Sequence, residues 1–206
     1  MKSNVTLSNQ QLDDYIRIIK SELEDTLSNL NIKNYKEATH LIHQAEDKDN
    51  RIHITGIGKP SHVARYIASL LSSTGTPTYF LDGTEAVHGS CGQLKEGDVV
   101  ICISNSGETE EMKSTVRAVK NNNCSVIAVT GVKNSWLDLN ADATLLASVS
   151  KEGGPLNRAP RASIISEVIV LQGLSIVLQS YKNLTPQQYI KWHPGGSLGH
   201  LREDEK

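Results

Sequence analysis

The sequence predicts an α/β fold in which parallel strands alternate with helices on both faces of a sheet. Five short apolar or β-branched runs, "RIHIT" (51–55), "PTYFL" (77–81), "DVVICI" (98–103), "SVIAV" (125–129) and "ATLLA" (143–147), are bounded by Gly, Asn, Asp or Pro, as strands are. Helical composition fills the gaps between the first four: residues 61–73, a shorter stretch near Glu85, and 110–120, whose Met112, Val116 and Val119 would face the sheet. Such alternation argues for parallel β-α-β units. Helices also flank the series. Leu12, Tyr15, Ile16, Ile19, Leu23, Leu27 and Leu30 recur at three- and four-residue spacing, a second helix covers 35–45, and a long apolar one covers 162–179. The ending "HPGGSLGHLREDEK" is too rich in glycine for a helix.

Length, charge and cysteine content narrow the class. With 206 residues, 38% hydrophobic and 21% charged, the chain is long enough for one sizeable core and short for two. No repeat or linker marks a boundary, so residues 1–206 read as a single domain with N-terminal helices and a Gly-rich C-terminal tail. The formal charge of −2, from 21 basic and 23 acidic residues, gives no electrostatic footprint for nucleic acid or an anionic membrane. Cys91, Cys102 and Cys124 include no C-x-x-C pair, which predicts neither a disulfide framework nor a zinc knuckle and fits a reducing compartment. The N-terminus lacks an apolar signal segment, and no run approaches the roughly 20 apolar residues of a membrane span. The expectation is a cytoplasmic protein whose partners are small molecules or copies of itself.

In open parallel sheets, ligands bind beyond the carboxyl ends of the strands, where strand order reverses. Two motifs fall at such ends. "TGIGKPSH" (55–62) follows the first strand, with Gly56 and Gly58 letting backbone amides approach a ligand and Lys59 supplying a charge. "SNSGET" (104–109) follows the third strand and opens a helix, whose first amides and dipole favour an anion. Together they would cradle a phosphate, although each alone also reads as a turn or a helix cap. Neither matches the Rossmann or P-loop spacing, so nucleotide binding is not expected. Lys59, His88, Glu111 and His193 are the candidates for proton transfer, while His40, His43, His53, His62 and His200 are set aside. No H-x-x-x-H or paired Cys/His spacing predicts a metal site.

The stretches "TGIGKPSH", "STGTPTYFLDGTEAVHG" and "ISNSGETEE", in this order and spacing, resemble the sugar isomerase (SIS) domain that binds phosphosugars. The ending "WHPGGSLG" is similar to that of the arabinose-5-phosphate isomerases, in a short form without the CBS modules that many relatives carry. The resemblance spans roughly residues 10–200 and implies a three-layer sandwich with a five-stranded parallel sheet, flavodoxin-like and assembled as a tetramer. It places substrate contacts on Gly58, Ser61, Ser104, Asn105, Ser106 and Thr109, and catalytic groups on Lys59, His88, Glu111 and His193. Departures are Pro60 within the first motif, "GSCG" (89–92) in place of G-D-L-G, and "NRAPRASII" (157–165), which brings Arg158 and Arg161 beside the expected pocket.

The activity so implied is aldose–ketose isomerisation between ribulose 5-phosphate and arabinose 5-phosphate through an enediol, with no cofactor. Glu111 would be the carbon base, with burial raising its proton affinity; His88 or His193 would move protons between the oxygens, and Lys59 would stabilise the developing oxyanion. The alternatives are an isomerase of a longer phosphosugar and a non-catalytic sensor that binds one. A pocket rim already filled by strand-end motifs leaves His193 to serve a neighbouring chain's site.

Overall fold

A computed structural model describes residues 9–205. Its sheet has five parallel strands, β1 (Ile52–Gly56), β2 (Thr78–Phe80), β3 (Val99–Ile103), β4 (Ser125–Thr130) and β5 (Ala143–Leu146), in the order β2-β1-β3-β4-β5. Each predicted strand forms within a residue or two of its expected limits. β3 is buried at every position, which is why it reads as the unbroken apolar run "VVICI" rather than as an alternating one.

Two apolar layers sandwich the sheet. On one face, α2 (Ile32–Glu46), α3 (Lys59–Ser73) and α6 (Ala162–Tyr181) bury Ile42, Ile67, Leu71, Leu171 and Leu174 against Ile54, Ile101 and Val129. On the other, α4 (Glu110–Asn121) turns Met112, Val116 and Val119 onto Val100, Cys102 and Val126, joined by short 3-10 turns at Glu85–His88 and Ser90–Gln93. Outside the first layer, α1 (Asn9–Ser28) packs on α6. Buried Glu22 on α1 accepts a 2.7 Å hydrogen bond from the Ser150 amide, tying it to the loop after β5.

Several local features differ from expectation. α3 starts at Lys59 rather than Ser61, because Pro60 is compatible with a helix's first turn. Two short helices were not foreseen, α5 (Trp136–Leu139) and α7 (Pro186–Trp192). The signal for α7 was present in "TPQQ": the Thr185 hydroxyl accepts from the Gln188 amide at 3.2 Å, and Pro186 fills the first turn. The Gly-rich ending forms only 3-10 turns, at Ser197–Gly199 and Glu203–Glu205. Finally, α6 reaches a mean hydropathy of 1.7, enough by length and composition for a membrane span, contrary to the sequence expectation. Half of that apolar stretch is buried inside the fold, against α1, α2 and α3, as in a core helix.

Candidate active site

The chain passes from β1 outward to β2, then returns to the other side of β1 to lay down β3, so strand order reverses between β1 and β3. Register sets Gly56 beside Ile103, and the loops leaving these strands therefore begin side by side. Lys59 opens α3 from one loop, and Ser104 through Thr109 lead into α4 from the other.

Close approach dictates the first loop. A Cβ on Gly56 would stand 2.6 Å from the Pro60 carbonyl carbon, and Gly58 sits at φ +65, so glycine is required at both. Lys59 is exposed. The Ser61 hydroxyl donates to the Gly58 carbonyl at 2.6 Å, which commits its proton to the loop and leaves lone pairs for a ligand.

In the second loop, Ser104 is buried and its Oγ accepts from the Gly107 amide at 3.2 Å. Thr109 Oγ1 lies 3.3 Å from Ser104 Oγ. Ser106 Oγ is exposed and accepts from the Glu108 amide at 3.2 Å. Thr109 is the N-cap of α4 but makes no side-chain cap bond, so its own hydroxyl does not use up the first amides of that anion-favouring helix end. Asn105 is half-buried and its carboxamide packs over Gly131, while its carbonyl accepts from the Gly131 amide at 2.9 Å. Its contribution at the loop is therefore to bind the turn after β4.

The three glutamates of "SNSGETEE" part company. Glu108 and Glu110 both pair with Lys113, at 2.8 and 3.0 Å. Glu108 also accepts from the Trp136 amide at 2.7 Å, and the Lys113 hydrogen bond, ahead of that amide, holds its carboxyl below the usual range. The same two carboxylates raise the Lys113 ammonium, Glu108 foremost. Glu111, by contrast, has no ion-pair partner among the described residues and stays exposed on the first turn of α4. The burial expected of it is thus not supplied by this chain alone.

His88 ends the 3-10 turn after β2 and is exposed. Gly83 holds that segment close, since a Cβ there would meet Ile57 Cδ1 at 2.6 Å, and Thr115 on α4 donates to the Gly83 carbonyl at 2.7 Å. Lys59, His88, Glu111 and the Ser104–Thr109 loop therefore share the carboxyl edge of the sheet around the switch point.

His193 does not join them. It follows α7, whose Trp192 ring lies against Gly75 beyond the far end of α3, where Lys182 also binds Glu46 and the Gly75 carbonyl. α3 has fifteen residues, so about 20 Å separates that end from Lys59. The His193 ring stacks on Tyr189 with centroids 3.9 Å apart, and Nδ1 donates to the Tyr189 carbonyl at 2.8 Å, which leaves the lone pair on Nε2. Of the histidines set aside, His53 is internal: Nε2 contacts Asp98 at 3.1 Å, and burial lowers its pKa against the pull of that carboxylate.

Strand-end motifs gave no hint of Glu152 in the loop after β5. Its carboxylate accepts from the Arg161 and Ser163 amides at 2.6 and 3.2 Å, capping α6, and the signal available was an acid just upstream of a helix. The Arg161 guanidinium folds back over Gly154, while Arg158 is exposed. Among the described residues no three His, Cys, Asp or Glu side chains converge as metal ligands.

The chain is similar to known proteins. Arabinose 5-phosphate isomerase KdsD of Francisella tularensis is 33% identical over 190 residues, 91% of this chain and 58% of the relative. KpsF of Escherichia coli O6:H1 is 36% identical over 177 residues, 86% of this chain and 53% of the relative. This chain therefore spans little more than half the length of these curated relatives. Among solved structures, Escherichia coli CFT073 c3406 in complex with arabinose 5-phosphate superposes with a TM-score of 0.78 at 30% identity, covering 91% of this chain and all of that one. The SIS domain model matches residues 47–176, which take in both switch-point loops and all five strands. The chain belongs to the SIS domain family.

Proposed function

We propose that the protein is an aldose–ketose isomerase that interconverts ribulose 5-phosphate and arabinose 5-phosphate. The observation that carries this reading is the division of labour at the switch point: hydroxyls and helix amides for a phosphate, beside a carboxylate, Glu111, with no lysine partner among the described residues. Relatives named arabinose 5-phosphate isomerase and a neighbour bound to arabinose 5-phosphate support it.

With the phosphate held by Ser104, Ser106, Thr109 and the first turn of α4, the carbonyl end of the substrate extends toward Lys59, Glu111 and His88. Glu111 takes a proton from C1 of the ketose, leaving an enediolate whose oxygen charge Lys59 stabilises. Return of the proton to C2, with a histidine moving a proton between O1 and O2, gives the aldose. The reaction is internally balanced, since one carbon is oxidised as its neighbour is reduced. His193 reaches a site only across a subunit boundary, in an assembly that the resemblance gives as a homotetramer. Three buried, unpaired cysteines fit a reducing compartment such as the cytoplasm, and burial raises Cys102 and Cys124 to about 12 and about 11, which keeps them as unreactive thiols.

The deciding measurement is arabinose 5-phosphate formation by purified protein supplied with ribulose 5-phosphate, alongside hexulose and heptulose phosphates. Turnover of the pentulose ester above the others is expected. Preference for a longer sugar would reassign the substrate to one that exposed Arg158 can reach, and saturable binding without turnover of any sugar would make the chain a sensor.

A further inference from the structure

A cavity of about 430 Å³ opens beside the edge strand β5, apart from the β1–β3 switch point. Its buried floor is Tyr35, Leu145 and Val170, with Leu30 and Leu146 on the walls. Its rim carries exposed Asn29, Asn31 and Lys133 with half-buried Asn34, and no carboxylate lines it. That is the size and character of a small-molecule site, an apolar base with a few convergent polar groups.

The rim has hydrogen-bonding capacity to spare. Asn31 spends its carbonyl oxygen on the Lys33 amide at 2.9 Å and keeps both N–H donors; Asn29 spends one N–H on the Asp25 carbonyl at 2.8 Å and keeps its oxygen. Asn34 and Lys133 have no side-chain partner among the described residues. Lys133, with Asn31 and Asn34, also borders a neighbouring hollow that holds Glu37, Asp138 and Asp142. Within the cavity itself Lys133 is the one charged side chain among the described residues.

We propose that the cavity binds a small hydroxylated carboxylate. One lysine balances a single negative charge, whereas a phosphate ester brings nearly two; three carboxamides match hydroxyls, and the apolar floor receives C–H faces. The site is linked to the phosphate loop through the segment after β4. Lys133 rides the turn after β4, and that turn holds the phosphate loop through Gly131 N–H to the Asn105 carbonyl at 2.9 Å, Leu137 N–H to the Gly107 carbonyl at 3.0 Å, and Trp136 N–H to Glu108 at 2.7 Å. A ligand that anchors Lys133 would steady this turn, so it acts on substrate affinity from a distance.

The test is calorimetric titration of the full chain with D-gluconate at fixed ionic strength, with sorbitol and glycerol 3-phosphate in parallel. Saturable gluconate binding is expected, weakened about tenfold or more by Lys133→Met and by Asn34→Leu, and unchanged in Ser104→Ala. Neither rim residue belongs to the buried core, so these variants should fold, and unchanged melting checks it. Four results would overturn the proposal: no saturable heat, as when a partner chain covers the mouth; equal binding of sorbitol; binding that survives Lys133→Met but is lost in Ser104→Ala; or tighter binding of glycerol 3-phosphate than of gluconate to Ser104→Ala protein.

Discussion

Two of the glutamates in "SNSGETEE" are spent on Lys113, and the third is not. The pairing follows from position: Lys113 is three residues after Glu110, on the same helix face, and Glu108 lies just before the helix where its second oxygen also receives the Trp136 amide. Glu111 points elsewhere and keeps its basic oxygens, so Glu111→Gln, which preserves size and removes the base, should lower kcat by about 10²–10⁴-fold with KM little changed. Near-normal turnover in that variant would move the carbon base to a histidine. The hydroxyls predict the opposite split. Ser104→Ala and Thr109→Ala each delete a hydrogen bond made alike in ground and transition states, so KM should rise roughly tenfold while kcat holds; a loss confined to kcat would take the phosphate away from this loop. Which residues reach the switch point was legible from glycines and hydroxyls at strand ends. Which carboxylate remains free was not, because it depends on where one lysine's flexible chain settles.

Helix α6 shows what composition cannot decide. Its apolar sequence marks it as a core helix from every side, yet Glu167 within it is fully buried and neither carboxylate oxygen has a hydrogen-bond partner among the described residues. Burial, and after it the nearby Glu152 carboxylate, lifts its pKa from 4.5 to about 8. The unfolded chain releases this proton near pH 4.5 and the folded chain holds it until about pH 8, so between those values the folded state binds more protons and stability falls as pH rises. The slope is up to about 1.4 kcal/mol per pH unit and vanishes above about pH 8. Glu167→Met, close in volume and uncharged, should therefore stabilise the protein over wild type by more at pH 8 than at pH 5, by roughly 2–4 kcal/mol, read from denaturant unfolding at both values. An equal gain at the two pH values would mean the carboxyl is already ionised in the folded state. Apolar runs announced α6 and the five strands because their burial is written in continuous apolar stretches. Such runs passed over α5 and α7, whose few residues are fixed by caps at Ser135 and Thr185 rather than by a repeating face.

At the scale of the molecule, the sheet gathers Lys59, His88 and Glu111 at one edge and sends His193 to the other. Packing holds that gap open: α7 is held by Trp192 against Gly75, and Lys182 clamps the same corner. The outer side of α6 leaves Ile176 67% exposed and Tyr181 61% exposed, and a helix that is apolar all round calls for cover on both sides. A neighbouring chain laid there would cover α6 and bring its own far edge, with His193, toward this chain's strand-end loops. The sequence suggested such sharing because strand-end motifs already fill one pocket rim; the position of α7 gives it a distance to bridge. Chains inactivated by His193→Ala and chains inactivated by Lys59→Ala should then restore each other. After dissociation and joint reassembly, some pockets draw Lys59 from the first chain and His193 from the second and carry neither lesion, so activity returns in mixtures of two inactive proteins. Tagging one variant and isolating hetero-oligomers confirms that mixing occurred. If those hetero-oligomers stay inactive, each site takes both residues from one chain, and α7 must leave the corner at Gly75 to deliver its histidine.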